Sequence, residues 1–377
     1  MNKTLKAILF AILALGLVFA AGCGNNEDEN TAEPDPSEVG SGQDEQQTDE
    51  EVVELDGEIV VYSARNERFV QALLDKFTAD TGIEVQALHD ANPLQVVEEA
   101  NNVRADVFIS NDLGALGYLH MEGLLQGYDF DGIDSIPADF RADDNAYFAI
   151  SARSRGFIYN KDMITEDEMP KSIEELFDPK WADVEGGYAI TRGGNGGMIG
   201  HISALRYEWG DEKTAEWIEV VSENAAAITQ GHGDIRRAVG AGEHSFGLVN
   251  NYYFHQQLVE PDNNNVGFIY LDQEADQMGV VANAAGAGLV KDGPNQENAI
   301  AFIEWLLLPE NQVMFVGESL ELLINSDYGA SYPAEVEPHI VDFNDLKVQD
   351  MPIKELGNYF QDTRALIEQS GLDLELR

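Results

Sequence analysis

Two adjacent tyrosines, Tyr252 and Tyr253, follow a short apolar run in the stretch LVNNYYFHQ, residues 248–256. A buried tyrosine hydroxyl needs a hydrogen-bond partner, and an exposed pair of large aromatic residues needs a reason. A free phenol has a pKa of about 10, but a bound cation stabilises the phenolate and displaces its proton. The pair is therefore either a packed feature at a strand boundary or a pair of oxygen ligands.

A glycine-rich run, TRGGNGGMIGHI at residues 191–202, follows a predicted strand and opens a predicted helix. Backbone N–H groups at such a junction form an anion site, and glycine lets a ligand approach the backbone closely. The same run also suits a flexible turn. Three arginines, Arg65, Arg153 and Arg192, are candidate partners for an anion in a chain with few cations. An ordinary structural salt bridge is the alternative for Arg153.

The sequence contains no recognisable catalytic motif. Its seven histidines are scattered without zinc-ligand spacing, and it has neither a nucleophile elbow nor a P-loop. The sequence thus gives no positive sign of catalysis, and we do not expect an enzyme. A transferase or hydrolase that uses the cleft is the alternative, and it would need a nucleophile and a base within reach of each other.

Strand and helix patterns alternate along the chain. An apolar β-branched run at residues 58–64 predicts a buried strand, and the helical spacing of Phe69, Leu73 and Phe77 predicts a helix that stops at Gly82. A long strand pattern covers residues 147–160. This alternation predicts α/β architecture with covered sheets, and two such lobes with a ligand at the carboxyl ends of the strands are the simplest arrangement.

The charge balance is extremely acidic. The 69 Asp and Glu residues outnumber 22 Lys and Arg, which gives a formal net charge of −47. Such a charge argues against nucleic acid and anionic lipid surfaces as partners. It is typical of a protein that works in strong salt, where charge repulsion is screened. We therefore expect a halophilic or salt-adapted source.

The first residues predict export and anchoring. Lys3 and Lys6 precede an apolar run, residues 7–21, which is short for a membrane span and suits a signal peptide. Small residues before Cys23 resemble a bacterial lipobox, which implies a signal peptide at residues 1–22 and lipidation of Cys23. The acidic stretch to residue 56 then predicts a disordered tether. An ordinary signal peptide with an incidental cysteine is the alternative.

Several stretches together resemble one family. IVVYSARNERFVQALLDKFTADTGIEV, RADVFISNDLGALGYLHMEGLL, ISARSRGFIYN, ELFDPKW and AVGAGEHSFGLVNNYYFHQ are similar, in order and spacing, to the ferric-ion-binding proteins of bacterial iron ABC importers. The resemblance covers roughly residues 58–329. It implies a bilobal, hinged periplasmic-binding-protein fold in which a tyrosine pair binds Fe³⁺ in the interlobe cleft. Fe³⁺ is a hard ion that favours oxygen ligands such as phenolate.

The resemblance also implies further site residues. Tyr252 and Tyr253 correspond to the family's metal ligands, and Asn66 and Asn111 stand where relatives carry a histidine and a glutamate. Asp112 is adjacent and could supply a carboxylate, whereas helix capping is the alternative for these first-lobe residues. The matching anion loop comprises Thr191, Arg192, Gly193, Gly194 and Asn195, with Arg65 and Arg153 nearby.

The family further implies the setting in which the protein works. We expect Fe³⁺ as cargo, a synergistic anion such as carbonate or phosphate, and an ABC importer permease in the membrane. We expect a lipid-anchored monomer on the extracytoplasmic face of the cell membrane or in the periplasm. Because Asn66 and Asn111 are neutral amides, the same fold carrying a phosphonate, thiamine or a polyamine is the alternative. The expected lobes are residues 57–150 plus about 288–328, and 151–287 plus about 329–377.

Overall fold

The computed structural model describes residues 57–372. The predicted signal peptide, the lipidated Cys23 and the acidic tether lie outside these residues. The strands are β1 (Glu58–Ser63), β2 (Glu84–Leu88), β3 (Val107–Ser110), β4 (Tyr147–Asn160), β5 (Tyr188–Thr191), β6 (Ala227–Thr229), β7 (Phe246–Asn250), β8 (Val266–Tyr270), β9 (Ala282–Leu289) and β10 (Leu322–Leu323). The longer helices are α1 (Gln71–Thr81), α2 (Pro93–Glu98), α3 (Leu113–Met121), α4 (Gly196–Trp209), α5 (Asp211–Asn224), α6 (His232–Gly240), α7 (Asn251–Leu258), α8 (Gln296–Leu306), α9 (Pro309–Ser319) and α10 (Leu356–Ser370).

The first lobe is built on a mixed sheet in the order β2-β1-β3-β9-β4, with β10 also paired to β4. Strands β1, β2 and β3 run parallel, and β9 is antiparallel to both β3 and β4. Helices α1, α8 and α9 cover this sheet with a core that includes Phe77, Phe302 and Phe315, all at most 1% exposed. The Phe77 and Phe302 rings meet edge to face at 4.9 Å.

The second lobe is built on a sheet in which β8, the end of β4, β7, β5 and β6 pair in that order. Its core contains Phe157, Tyr188, Phe246 and Trp217, all fully buried. The rings of Tyr188 and Phe246 stack with centroids 5.3 Å apart. Aromatic residues thus fill the space between this sheet and helices α4 and α5.

Strand β4 belongs to both lobes. Residues Tyr147–Ser154 pair with β9, whereas Arg155–Asn160 pair with β7 and β8. All 14 residues are buried, which explains why the strand pattern at 147–160 is long and apolar. This division confirms the predicted bilobal α/β fold, because one strand leaves the first sheet and enters the second.

The expected domain boundaries stay a prediction. In the structure β9 pairs with β3 through residues 286–289, which places this strand in the first sheet. Helix α10, near the end of the described chain, packs against both α3 of the first lobe and α4 of the second. The chain therefore crosses between the lobes more than once.

Residues 296–319 form two consecutive helices, α8 and α9. Pro309 starts α9, and its fixed φ and missing N–H suit the first helical position. Within residues 57–372 no single helix is long and apolar enough to cross a membrane; α8 and α9 pass that test only together, and they meet at 77°.

Candidate functional site

The tyrosine pair lies where β7 ends and α7 begins. Asn250 closes the strand, and Tyr252 and Tyr253 occupy the first turn of the helix. Their ring centroids lie 4.5 Å apart at an interplanar angle of 32°. Tyr252 is 8% exposed and packs with apolar residues that include Ile235. The Tyr253 ring is half-buried and meets the His232 ring edge to face at 5.0 Å.

The surroundings of Tyr253 hold its proton tightly in the absence of a cation. Burial raises the pKa of Tyr253 well above its ordinary value, and the neighbouring Tyr252 raises it further by charge and hydrogen bonding. The charges of Arg153 and Arg68 act in the opposite direction. Arg68 belongs to the first lobe, in the short 3₁₀ helix after β1, so charges from both lobes act on the Tyr253 hydroxyl.

Two arginines of β4 lie near this pair. Arg155 Nη1 donates to His232 Nε2 over 2.7 Å and to Asn250 Oδ1 over 3.2 Å. Arg155 is buried, and its Nε and Nη2 have no hydrogen-bond partner in the described part of the chain. Burial lowers the pKa of Arg155 to about 9, and the charges of Tyr252 and Tyr253 partly oppose this. The guanidinium is therefore positioned to favour a neighbouring phenolate or anion.

Arg65 and Arg153 share one internal carboxylate. Glu321 is fully buried, and its oxygens lie 3.1 Å from Arg65 Nη1 and 3.1 Å from Arg153 Nη1. The hydroxyls of Ser151 and Ser319 donate to the same carboxylate over 2.6 Å and 3.0 Å. Two of the three arginines predicted as anion partners, Arg65 and Arg153, are thus each already paired with Glu321. Their anion role stays a prediction.

The two first-lobe amides both make hydrogen bonds to backbone groups. Asn66 is exposed, and its Oδ1 accepts from Arg68 N over 3.4 Å at the start of a short 3₁₀ helix, Glu67–Phe69. Asn111 is also exposed and donates from Nδ2 to Ala64 O over 2.7 Å. Of these two exposed amides, only Asn111 lines the interlobe cavity.

Asp112 is buried and combines two structural contacts. Its Oδ1 accepts from Ala115 N over 3.3 Å at the N-terminus of α3, and its Oδ2 accepts from Asn283 Nδ2 over 2.8 Å. Burial raises the pKa of Asp112, whereas the charge of Arg153 and the Asn283 hydrogen bond lower it. These contacts match the capping alternative, and a role for Asp112 as metal ligand stays a prediction.

The glycine loop lies at the predicted place, between β5 and α4. Asn195 caps α4 by accepting from Gly197 N over 3.0 Å, and Thr191 is fully buried with its Oγ1 unpartnered among residues 57–372. Arg192 N donates to Thr229 O over 2.9 Å and thereby fixes the loop to the next strand. Gly193 is covered by α10, because a Cβ there would lie 2.2 Å from Ile367 Cγ2.

A cavity of about 330 Å³ opens between the two lobes beside this loop. Its walls come from the first lobe, from the glycine loop and α4, and from α10. The lining residues are Ala64, Asp90, Ala91, Asn92, Pro93, Ser110, Asn111, Asp112, Ala115, Gly193, Gly194, Gly196, Ile199, Phe360, Arg364, Ile367 and Glu368. The tyrosines do not line it, but a Cβ on Gly197, the second residue of α4, would lie 3.0 Å from His232 Cε1. The start of α4 therefore separates the cavity from the His232–Tyr253 region.

The sequence interpretation missed several residues of this region. Arg155, His232 and Glu321 were not singled out, although Arg155 follows Arg153 by two positions and strand periodicity places both on one face of β4. Nothing in the local sequence marks His232 or Glu321. Within residues 57–372 no three His, Cys, Asp or Glu side chains converge on a metal-binding point.

Comparison with known proteins agrees with the fold and the resemblance. Iron uptake protein A1 of Synechocystis sp. is 29% identical to this chain over 325 residues, or 83% of this chain and 87% of that protein. The Fe(3+)-binding periplasmic protein of Serratia marcescens is 26% identical over 318 residues, covering 83% and 90%. A solved structure from Trichodesmium (IdiA, FutA), in complex with iron and citrate, superposes with a TM-score of 0.70 at 28% identity, covering 84% of this chain and 100% of that one.

The predicted resemblance to ferric-ion-binding proteins is thereby confirmed. Residues 72–326, well over half of the chain, match the family described as bacterial extracellular solute-binding protein. The chain therefore belongs to the family of bacterial extracellular solute-binding proteins.

Proposed function

We propose that this protein is the extracytoplasmic substrate-binding component of an iron(III) ABC importer. It binds Fe³⁺ in the interlobe cleft through the phenolates of Tyr252 and Tyr253, and the closed form is presented to a membrane permease. Relatives named for iron uptake and Fe(3+) binding support this assignment. The observation that carries it is the pair of adjacent phenol rings, 4.5 Å apart between centroids and tilted by 32°, beside the buried Arg155.

The local chemistry suits a hard trivalent cation. Phenolate is a hard oxygen ligand, and deprotonation on binding is favoured by the positive charge that the cation and the nearby arginines supply. Because two phenolates leave most of the metal's coordination sphere open, a synergistic anion completes it. We propose carbonate, phosphate or a larger carboxylate for this anion, since the Trichodesmium relative holds iron together with citrate.

Asn66, Asn111 and Asp112 are the first-lobe contributors in this proposal, and Arg65, Arg153 and the loop from Thr191 to Asn195 hold the anion. Lobe closure about β4 brings these groups together. The protein is held at the outer face of the membrane through a lipid on Cys23 and acts as a monomer.

The test is a titration of purified protein with ferric citrate, monitored by visible absorbance. We expect a tyrosinate-to-iron charge-transfer band in the wild type and its loss in the Tyr252→Phe, Tyr253→Phe double variant. Tyr207→Phe is the matched control, because Tyr207 is 44% exposed on α4. A colourless wild type, or a double variant with an unchanged band, would overturn the assignment.

A second candidate keeps the fold and changes the cargo to a small organic ion. The two amides at first-lobe positions and a cavity of about 330 Å³ favour it. Two experiments separate the candidates. One is a thermal-shift screen of phosphonates, thiamine and polyamines, and the other is metal analysis of protein purified without chelators. A rise in melting temperature with an organic compound, together with the absence of bound iron, would favour the small organic ion as the cargo.

A further inference from the structure

Helix α10 forms a wall between the two lobes. No local sequence pattern specifies this position. On the first-lobe side its Phe360 ring stacks on Tyr118 of α3, with centroids 5.4 Å apart. On the second-lobe side the hydroxyl of Thr363 lies 2.9 Å from that of Ser203 on α4. The helix is thus fixed to both lobes at the level of the cavity.

One face of α10 lines the cavity with Phe360, Arg364, Ile367 and Glu368. Arg364 is the only basic residue among the lining residues of this cavity in the described chain. It is half-buried, and no hydrogen bond or ion pair joins it to another residue in the part of the chain that the structure describes. In a chain with 22 Lys and Arg against 69 Asp and Glu, an unpaired arginine in a cleft is unusual.

The acidic groups around the cavity do not neutralise Arg364. Asp112 accepts hydrogen bonds from Ala115 N and Asn283 Nδ2 and forms no ion pair with Arg364 among the described residues. Asp90 and Glu368 are both exposed to solvent, and neither forms an ion pair with Arg364 within residues 57–372. The guanidinium therefore remains available to a ligand, and its planar donors suit a carboxylate.

The cavity is larger than a single small anion requires. A water molecule occupies about 30 Å³ in the liquid, so about 330 Å³ corresponds to several small polar groups together. The lining amides of Asn92 and Asn111 add neutral hydrogen-bonding groups. The volume of the cavity, its single guanidinium and its two amides together suit an organic polycarboxylate better than they suit carbonate.

We propose that Arg364 is a specificity-determining residue that binds a free carboxylate of an iron chelate. The inference rests on the proposed iron function and deepens it: the cargo is Fe³⁺ held by a polycarboxylate, and α10 recognises the organic part. Gly196, the first residue of α4, lines the cavity, and the next residue, Gly197, lies against His232, whose ring contacts Tyr253. In this proposal one extended ligand therefore reaches from the cavity to the tyrosines. Phenolates then bind the metal while Arg364 binds the chelator.

The experiment compares three titrations of the full mature protein: ferric citrate, a ferric salt with bicarbonate, and citrate alone. We expect Arg364→Gln to weaken ferric citrate at least about tenfold, consistent with the loss of a charge-assisted pair, and to leave ferric bicarbonate within about twofold. Arg364→Lys should recover part of the loss. Arg104→Gln is the control for lost charge, since Arg104 is exposed and lies outside the cavity.

The outcomes separate the two proposals. An equal loss for both iron forms in Arg364→Gln indicates a structural role and overturns the inference, as does an unchanged affinity for ferric citrate. A wild type that shows no iron charge-transfer band overturns the proposed function, whereas citrate binding that depends on Arg364 would still support anion recognition by α10.

Discussion

Glu321 Oε1 lies 3.1 Å from Arg153 Nη1, in the buried region where β4 passes from one sheet to the other. A second guanidinium, that of Arg65, lies 3.1 Å from the other oxygen of the same carboxylate. Burial alone would raise the pKa of Glu321, but the charges of Arg65 and Arg153 outweigh it and lower the pKa below its ordinary value. One carboxylate thus holds two cations of the cleft region in place.

Replacement of Glu321 by Gln should destabilise the protein strongly. Two buried guanidinium groups would lose their only carboxylate among the described contacts, and breaking a buried pair costs about 3–5 kcal/mol. Urea unfolding measures the change in the free energy of unfolding. Glu174→Gln is the control, because Glu174 pairs with Lys213 at the surface, where a pair contributes about 0–1 kcal/mol.

The pH dependence of this effect has a fixed sign. Because the folded-state pKa of Glu321 is lowered, its stabilisation is present above the unfolded pKa of about 4.3 and is lost as the pH falls through the folded value. The difference between wild type and Glu321→Gln should therefore shrink in acid. A cost below about 1 kcal/mol at neutral pH would contradict the importance of the pair.

Periodicity and turn residues were enough to predict most of the fold. The pattern at residues 147–160 coincides with β4, and Gly82, with φ of +81°, ends α1 as expected. Short elements such as α2 and β10 were not predicted, because two to six residues are too few to show a helical or strand periodicity. The passage of β4 between two sheets depends on strand pairing, which no local pattern specifies.

Fewer residues of the candidate site could be predicted from the sequence. Tyr252 and Tyr253 stood out because adjacent phenols are rare at a strand end. Glu321 did not, since its partners lie 168 and 256 positions away along the chain. The capping contacts of Asp112 and the approach of α10 to the glycine loop likewise arise only from tertiary packing.

Iron affinity should fall as the pH is lowered. The pKa of Tyr253 is raised well above its ordinary value by burial and by Tyr252, so its phenol is protonated at neutral pH and must release a proton to bind metal. If both tyrosines bind as phenolates, the affinity should change up to about 100-fold per pH unit. Competition titrations at pH 8, 7 and 6 measure the slope.

Single tyrosine variants provide the control for this slope. Tyr253→Phe should release one proton fewer per iron bound, so that its affinity changes at most about tenfold per pH unit. Calorimetry in two buffers of different ionisation enthalpy counts the protons directly. An affinity that is independent of pH in the wild type would exclude phenolate ligation.

Added salt should stabilise this protein. With a formal charge of −47, repulsion between carboxylates opposes the folded state at low ionic strength. The Debye length falls from about 10 Å at 0.1 M to about 3 Å at 1 M salt, which screens that repulsion. We expect the melting temperature to rise between 0.1 M and 1 M KCl, and because screening depends on ionic strength, sodium chloride should have the same effect. A melting temperature that falls over this range would contradict salt adaptation.

Two glycine-to-alanine substitutions with opposite expected effects on stability test the packing of α10. A Cβ on Gly357 would lie 2.7 Å from the backbone carbon of Gly117 on α3, whereas a Cβ on Gly317 in α9 would meet nothing within 4 Å. Neither glycine has a positive φ, so alanine is not strained by the backbone itself. Gly357→Ala should cost about 1–3 kcal/mol by forcing α10 away from α3, and Gly317→Ala should stabilise by about 0.5–1 kcal/mol. Urea unfolding of both variants checks the signs, and a neutral Gly357→Ala would mean that α10 does not pack closely on the first lobe.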